Sequence, residues 1–520
     1  MADIKRILIV GGGTAGWLTA NYLARSFNSA DPRAIQIELV ESPDIGILGV
    51  GEGTFPSIRG TLSTIGIDEA RFLREANATF KQGIRFVDWV RPAGSRGADH
   101  YFHPFSLPSQ RTDTPELLPY WLLGDCAPGL SFAQAVTLQK SVVDASRAPK
   151  RATDADYQGR LNYAYHFDAV RFAALLAAHG RSLGVHHRIA TVDGAERDES
   201  GAIARVITRE AGALTADLYI DCTGFRAELI GKTLGSPFRS AKGTLFVDRA
   251  VAIQVPYQRA DTPIPSCTIS TAHEAGWTWD IGLQARRGVG YVYSTRHTDD
   301  TAAETILRDY IGPPAEGLSA RLLKFETGFR PVQWRGNCVS VGLSAGFVEP
   351  LESSGIGLIE IAAYLIAHLL PADGDMTRVA RHFNESMTSR YERVIDFIKM
   401  HYCLSQRRDS QFWVDNVDPA SVPESLRDRL AMWRSRPPHR LDFVTDVEMF
   451  MPASWQFILY GMEYPTNLEP WRAAYARGDA ARRELDMIRT VAQHATADLP
   501  DHRALVDQVC ASGFVRDAKP

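Results

Sequence analysis

The chain has 520 residues, of which 45% are hydrophobic and 23% charged, a composition typical of an ordinary globular protein with two or three domain-sized units. A net charge of -4, without a basic stripe or an arginine-rich arm, argues against a nucleic-acid partner. The six cysteines are scattered and form no CxxC pair, so neither a metal site nor a disulfide framework is predicted.

The N-terminal residues already resemble a strand, so no signal peptide is predicted. The longest apolar run, from Gly355 to Leu370, contains Glu360 and His368 and is too short to cross a bilayer. We therefore expect a cytoplasmic protein with free thiols and no membrane partner.

The first residues predict a strand, a glycine turn and a helix. Arg6 to Val10 is extended in character, and Trp17 to Phe27 has helical periodicity. A second strand, Ile35 to Val40, ends in Glu41. This βαβ unit predicts an α/β fold with a Rossmann-like nucleotide domain.

The glycine turn fits G-x-G-x-x-G in the required strand-to-helix context. Gly11 permits the tight turn, Gly13 lets the backbone approach a pyrophosphate, and Gly16 lets helix and strand pack closely. Glu41 follows Gly16 by 25 residues, near the expected spacing of roughly 20, and can bind both ribose hydroxyls. The residues predicted to hold the dinucleotide at this turn are Gly11, Gly13, Thr14, Ala15, Gly16 and Glu41.

Later segments predict an inserted sheet and a helical end. Strand character appears in residues 218–221 and 289–293, between two glycine-rich stretches at 46–53 and 342–357. From about residue 372 the chain changes to charged helical segments, including 378–402 and 471–494. We therefore predict a nucleotide-binding domain with an inserted substrate-facing sheet over residues 1–371, and a helical substrate cap over 372–520.

Three further segments carry unusual residues. Trp277 and Trp279 lie one residue apart, so in a strand both indoles would point to one face and form the wall of a cavity; the alternative is a pair of core aromatics. Lys81 lies among Phe80, Ile84 and Phe86, which would draw its side chain into apolar surroundings, although most lysines are surface cations. The third segment, Glu349 to Gly355, precedes an apolar helix whose N-terminal N–H groups could bind an anion. In the alternative interpretation of this segment, its serines are helix caps and its glutamates surface charges.

Together these segments resemble the tryptophan-halogenase family of flavin-dependent halogenases, over about residues 5 to 370. The Trp-x-Trp-x-Ile element matches, except that Gly282 stands where the family has proline. The pattern Phe-Lys-x-x-Ile-x-Phe-x-x-Trp, closing at Trp89, and the Glu-Pro-Leu-Glu-Ser-Ser-Gly stretch also match. Residues 165–169 and 276–294 are similar to family segments almost throughout.

The resemblance implies FAD rather than NAD, in a fold of the FAD-dependent monooxygenase type. Residues 49–54 are similar to the family's flavin loop, Asp221-Cys222-Thr223-Gly224 to its second adenosine-contacting motif, and 346–357 to the segment that lies against the flavin ring. The additional cofactor residues implied are Gly49, Val50, Gly51, Glu52, Asp221, Gly224, Gly342, Gly355 and Ile356.

The resemblance also implies the active-site residues. Lys81 and Glu352 fall on the catalytic pair, Ser354 and Gly355 on the halide site, and Ile281 joins Trp277 and Trp279 in the wall of the tunnel between flavin and substrate. The substrate residues implied are His103, Phe105, Ser353 and Trp455. His103 and Phe105 would stack on a flat arene, unless they belong to an ordinary core. The residues by which free-tryptophan members hold the amino acid are not matched between Asp442 and Tyr464, so a simple indole is as good an expectation as tryptophan.

The chemistry implied uses reduced FAD from a separate flavin reductase, with no stable complex expected. Oxygen and bromide or chloride give hypohalous acid, which halogenates an electron-rich aromatic such as indole or a tryptophan derivative. We expect a monomer or homodimer. A flavin-dependent aromatic monooxygenase, an NAD-dependent dehydrogenase and a non-catalytic flavin-binding protein remain as alternatives.

Overall fold

A computed structural model describes residues 4–46, 51–97, 99–109 and 114–515. Its α-helices are α1 Thr14–Phe27, α2 Ser57–Ile65, α3 Glu69–Glu75, α4 Leu117–Leu122, α5 Phe132–Val136, α6 Gln139–Asp144, α7 Ala169–Ser182, α8 Asp300–Ile311, α9 Ser354–Leu369, α10 Met376–Cys403, α11 Gln411–Val417, α12 Glu424–Trp433, α13 Pro452–Gly461, α14 Gly478–Asp498 and α15 His502–Ser512.

Its strands are β1 Arg6–Val10, β2 Gln36–Glu41, β3 Glu52–Gly53, β4 Thr79–Lys81, β5 Gly83–Val87, β6 His100–Pro104, β7 Ala164–Phe167, β8 His186–Ile189, β9 Val192–Arg197, β10 Ile203–Thr208, β11 Gly212–Leu214, β12 Leu218–Asp221, β13 Arg239–Ser240, β14 Arg249–Pro256, β15 Thr268–His273, β16 Gly276–Gly282, β17 Arg286–Tyr293, β18 Arg321–Lys324, β19 Gly328–Phe329, β20 Trp334–Arg335, β21 Cys338–Ser340 and β22 Gly346–Phe347.

The chain divides into two compact units that alternate along the sequence. The first unit comprises residues 1–78, 167–242 and 325–392, and the second comprises 79–166, 243–324 and 393–520. The mixed α/β fold class is confirmed. The functional division at residue 371 into a nucleotide-binding domain and a helical cap stays a prediction.

A six-stranded sheet in the order β20-β21-β12-β1-β2-β8 forms the centre of the first unit. β1 lies between β12 and β2, parallel to both, with Ile7 opposite Leu218 on one side and Ile37 on the other. Helices cover a parallel sheet on its faces, and the central strand β1 is accordingly apolar and buried from Ile7 to Val10. α1 packs against both α7 and α9.

The second unit is built on a seven-stranded sheet in the order β18-β14-β17-β16-β15-β5-β6. Its strands pair antiparallel except for β15 and β5, which run parallel. α8 packs against β14 and β17, where it closes a core of apolar residues that includes Val251, Ile253 and Leu307. β16, the strand with both tryptophans, is buried at every position.

The predicted elements are largely present. The strands at 6–10 and 218–221 have the predicted bounds, and the apolar helix predicted after the segment Glu349 to Gly355 begins slightly earlier, at Ser354. The helical segment predicted over 471–494 is split, because residues 469–474 form a separate short 3-10 helix before α14. Among the described residues, no helix is both long enough and apolar enough to cross a membrane.

Candidate active site

The glycine turn has the geometry that the dinucleotide pattern requires. Gly11 has φ +115°, in the region that favours glycine, and its N–H donates to Val40 O at 2.9 Å. A Cβ at Gly16 would lie 1.8 Å from Gly11 O, so α1 can start this close to β1 only with glycine at that position. Trp17 N–H donates to Gly13 O at 3.0 Å and closes the first turn of α1.

Glu41 lies against this turn. A Cβ at Gly12 would come within 1.6 Å of Glu41 Oε2, so the carboxylate sits directly over the glycine backbone. His187 on β8 holds the other oxygen, with 2.6 Å between its Nε2 and Glu41 Oε1. His187 in turn packs edge-on against Trp17, with ring centroids 4.9 Å apart.

The residues around the turn fit a dinucleotide. A Cβ at Gly13 would meet no described atom within 4 Å, which leaves room for a ligand at the start of α1. Thr14 Oγ1 is buried and has no hydrogen-bond partner among the described residues, although buried hydroxyls are normally paired. A phosphate at the N-terminus of α1 would satisfy this hydroxyl and interact favourably with the helix dipole.

Only part of the predicted flavin loop is described. Gly49 and Val50 lie outside the described residues, whereas Gly51 has φ +86° and Glu52 begins β3. Burial, reinforced by the negative charge of Asp168, raises the pKa of Glu52 to about 7. Glu52 therefore keeps its proton to a higher pH than an exposed glutamate does.

The carboxylate of Asp221, at the end of β12, accepts hydrogen bonds from nearby residues of its own chain. One carboxylate oxygen accepts from the N–H and the hydroxyl of Thr223, at 3.0 and 2.6 Å. The other accepts from the N–H groups of Leu229 and Ile230, at 2.9 and 2.8 Å. These four bonds hold the turn after β12, which includes Gly224 at φ +68°, in a defined conformation.

Gly342 and Ala15 come together in the first unit. Gly342 has φ +74°, and a Cβ there would lie 2.7 Å from Ala15 Cβ. The turn after β21 therefore packs directly on the N-terminal end of α1. Two predicted cofactor residues that are distant in sequence thus lie at one location.

The segment from Glu349 to Ile356 leads into α9. Glu352 is fully buried, and Ser353 has φ 56° and ψ 34°, a left-handed conformation that costs a serine roughly 1–3 kcal/mol. Ser353 occupies the N-cap position, but its side chain makes no capping bond to the described backbone. The N-cap interpretation therefore holds for the position of Ser353, but not for a capping bond from its side chain.

The first residues of α9 differ in their surroundings. Ser354 Oγ is buried, and no atom in the described part of the chain hydrogen-bonds it. A Cβ added at Gly355 would have no described atom within 4 Å, so the space beside this residue is open. The next residue, Ile356, is buried. The start of α9 thus combines open space, an unsatisfied hydroxyl and a helix N-terminus, which suits an anion.

In the second unit, Lys81 is completely buried, as the flanking Phe80, Ile84 and Phe86 predict. It ends β4, where it lies opposite Ala164 of β7. Its Nζ is 5.4 Å from the centroid of the Phe105 ring. A lysine is almost never fully buried unless it is paired.

His166 on β7 is near this lysine. Burial holds the pKa of His166 well below its usual value, and the positive charge of Lys81 and the neighbouring His502 lower it further. His166 Nε2 lies 2.8 Å from Thr268 Oγ1. A neutral imidazole at this point adds no second positive charge beside Lys81.

Trp277 and Trp279 share one face of β16, with ring centroids 6.4 Å apart at an interplanar angle of 62°. The Trp279 indole lies across Gly290 of β17, where a Cβ would come within 2.1 Å of it. Both Nε1 atoms are buried without a partner in the described structure. Ile281 follows on the same face and is also buried.

Aromatic rings surround the predicted substrate residues of the second unit. His103 packs against Phe397 and Phe457, with centroids 5.8 and 6.4 Å away. Phe397 also contacts Trp455 of α13, with 5.0 Å between the centroids. The structure therefore places His103 and Trp455 around one common neighbour, Phe397.

Sequence reasoning missed two features of this unit. Arg429 lies 5.0 Å from the Trp455 ring centroid and pairs at 3.7 Å with Glu448, whose side chain is 2% exposed. His502 of α15 accepts a hydrogen bond from the strand of Lys81. Neither belongs to a local motif, so the linear sequence carried no signal for them.

Comparison with known proteins agrees with this architecture. The family model for tryptophan halogenase matches residues 6–477. A tryptophan 6-halogenase of Streptomyces toxytricini is 35% identical over 95% of this chain and 96% of its own. The crystal structure of a tryptophan halogenase from Shewanella frigidimarina has a TM-score of 0.93 and 42% identity, and covers 98% of both chains.

A tryptophan C-6 flavin-dependent halogenase from taromycin biosynthesis superposes with a TM-score of 0.90 at 37% identity, over 98% of this chain and all of the other. The match to the family model extends over most of the chain, and the structural likeness over nearly all of it. The chain therefore belongs to the tryptophan halogenase family and is a flavin-dependent enzyme.

Proposed function

We propose that the enzyme uses FADH2, oxygen and bromide or chloride to halogenate an electron-rich aromatic such as indole or a tryptophan derivative. The observation that carries this proposal is the full burial of Lys81, with its Nζ 5.4 Å from the Phe105 ring. A lysine in aromatic surroundings can polarise an electrophilic halogen donor, which a hydroxylase does not require. A separate flavin reductase would supply the reduced flavin.

In the first unit, the glycine turn and Glu41 would hold FAD. The Glu41 carboxylate would accept hydrogen bonds from both hydroxyls of the adenosine ribose. Thr14 Oγ1 and the N–H groups at the start of α1 would bind the pyrophosphate. Bound FADH2 would supply the two electrons that activate oxygen, and oxygen would be the oxidant: with a halide and a proton, the net products are FAD, water and hypohalous acid.

The start of α9 would bind the halide. The N–H groups of Ser354 and Gly355 would point at the anion, and the unsatisfied Ser354 hydroxyl is a further donor. The left-handed conformation of Ser353 turns the chain into the first turn of α9. We assign to Glu352 the base that removes the ring proton or polarises the oxidant.

Lys81 would donate a hydrogen bond to hypohalous acid, or its neutral amine would take the halogen from hypohalous acid and give a haloamine and water. The neutral state of His166 would leave Lys81 as the cation of this pocket. In the second unit, a flat arene would stack on the rings of His103, Phe105 and Trp455. Trp277, Trp279 and Ile281 would exclude the arene from direct contact with the flavin chemistry.

Lys81→Ala tests this proposal. The parent enzyme is incubated with indole, FAD, a reductase, NADH, air and bromide. Mass spectrometry of this reaction should show a product with the bromine isotope pair. Lys81→Ala should abolish that product while flavin reoxidation continues. Lys150 is a matched control, because it is also a buried lysine in the second unit, with its Nζ 4.1 Å from the Phe514 ring.

Lys150→Met should lower stability and still yield brominated indole from the folded fraction. Brominated product from Lys81→Ala would remove Lys81 from the chemistry. A hydroxylated product from the parent enzyme would assign it to the aromatic monooxygenases instead.

A further inference from the structure

His502, the first residue of α15, bonds directly to the strand that ends in Lys81. Its Nε2 accepts the backbone N–H of Phe80 at 3.1 Å, and its Nδ1 lies 2.8 Å from Ile264 O. Since Nε2 accepts from an N–H group, the ring proton is on Nδ1 and is donated to the Ile264 carbonyl. One fully buried imidazole thus ties together β4, the segment before β15 and the C-terminal helix.

The short strand β4 has other anchors on either side of the lysine. Thr79 Oγ1 donates to Gly282 O at 2.6 Å, at the end of the tryptophan strand. Gln82 N–H donates to Ser266 O at 2.7 Å. Phe80 and Gln82, the two neighbours of Lys81, are therefore each fixed through their backbone N–H, and the bond to Phe80 depends on a side chain.

We infer that His502 is a positioning residue: by accepting the Phe80 N–H, it holds β4 so that Lys81 is correctly placed. This inference rests on the halogenase proposal. Without this acceptor the Phe80 N–H would be buried and unpaired, and β4 would move to find another partner. Misplacement of a reacting group by about 1 Å can cost roughly a hundredfold in rate. Hypohalous acid would still form, but less of it would reach the arene through Lys81.

Two conservative substitutions separate the two bonds of the imidazole. In His502→Gln the side-chain amide extends to the position of Nε2, so its oxygen can accept the Phe80 N–H. In His502→Asn the shorter amide reaches only the position of Nδ1, so the bond to Ile264 O is kept and the bond to Phe80 is lost. A role confined to holding α15 in place would make the two variants alike.

The test measures brominated indole formed per FADH2 oxidised, together with the melting temperature and hydrogen exchange of peptides covering residues 79–82. His502→Asn should lower the bromination yield by roughly tenfold or more, with unchanged flavin reoxidation, and speed exchange at the Phe80 amide. His502→Gln should restore most of the yield and the slow exchange. The matched control is Asp501→Ala, because Asp501 caps α15 by accepting from Ala504 N–H at 3.0 Å.

Asp501→Ala should lower the melting temperature and leave the yield per FADH2 unchanged. Equal yields from His502→Asn and His502→Gln, or slow exchange at Phe80 in His502→Asn, would overturn the positioning role. Absence of brominated product from the parent enzyme would count against the halogenase proposal, while the exchange data would still decide whether His502 holds β4.

Discussion

Glu360 on α9 offers a pH-dependent test of the structure. It is 6% exposed and accepts hydrogen bonds from Ser57 Oγ, at 2.9 Å, and from Thr61 Oγ1, both on α2. Burial raises the pKa of Glu360 from 4.5 to about 7, and these two hydrogen bonds only partly oppose the shift. The Glu360 carboxyl thus links α9 to α2 through two hydrogen bonds.

The sign of the effect follows from the raised pKa. Between pH 4.5 and about 7 the folded protein retains a proton that the unfolded chain has lost, so folding is most favoured below this window. That part of the free energy of unfolding disappears as the pH rises through the folded pKa. One pKa unit corresponds to about 1.4 kcal/mol, so the full change is about 3 kcal/mol.

Glu360→Gln removes the ionisation and keeps the shape. Relative to the parent, the variant should therefore gain about 3 kcal/mol of stability between pH 4.5 and 8. For a domain of 150–250 residues this corresponds to a relative rise in melting temperature of roughly 6–12 °C. The assay is calorimetry of both proteins at pH 5, 6, 7 and 8, and the ionisation of Glu52 cancels in the difference.

A control is Glu304→Gln, since Glu304 is 41% exposed and pairs with Arg308 on the surface of α8. Its melting temperature should follow the parent at every pH. If Glu360→Gln also keeps a constant difference from the parent between pH 5 and 8, Glu360 is ionised throughout, and the burial argument is refuted.

The remaining predictions concern the cofactor turn, the catalytic base and the tryptophan strand. Gly16→Ala would place a Cβ 1.8 Å from Gly11 O, so it should abolish FAD binding in a fluorescence titration; parent-like affinity would contradict the close packing of the turn. Glu352→Gln should slow bromination by about 10²- to 10⁴-fold without changing flavin reoxidation, and a parent-like rate would reduce Glu352 to a structural role. Gly282→Ala would put a Cβ 2.8 Å from Ile264 Cγ2 and should cost about 1–3 kcal/mol by overpacking; an unaltered melting temperature would show that Ile264 moves freely.

Local patterns in the sequence predicted much of the fold and of the candidate site. The apolar run before Gly11 predicts β1, and the glycine spacing predicts the turn into α1, because both depend on backbone conformation and burial within a few residues. The apolar neighbours of Lys81 likewise predict its burial, and the one-residue spacing of Trp277 and Trp279 predicts a shared face.

The tertiary structure alone decided which distant groups meet. Glu41 and His187 are 146 residues apart, and Phe80 and His502 are 422 apart, yet each pair forms a hydrogen bond. Asp221 matches a cofactor motif, but its carboxylate is occupied by N–H groups eight and nine residues later. Periodicity and spacing determine which residues are buried, whereas the partners of a buried polar group depend on how separate segments pack, and the linear pattern does not encode that packing.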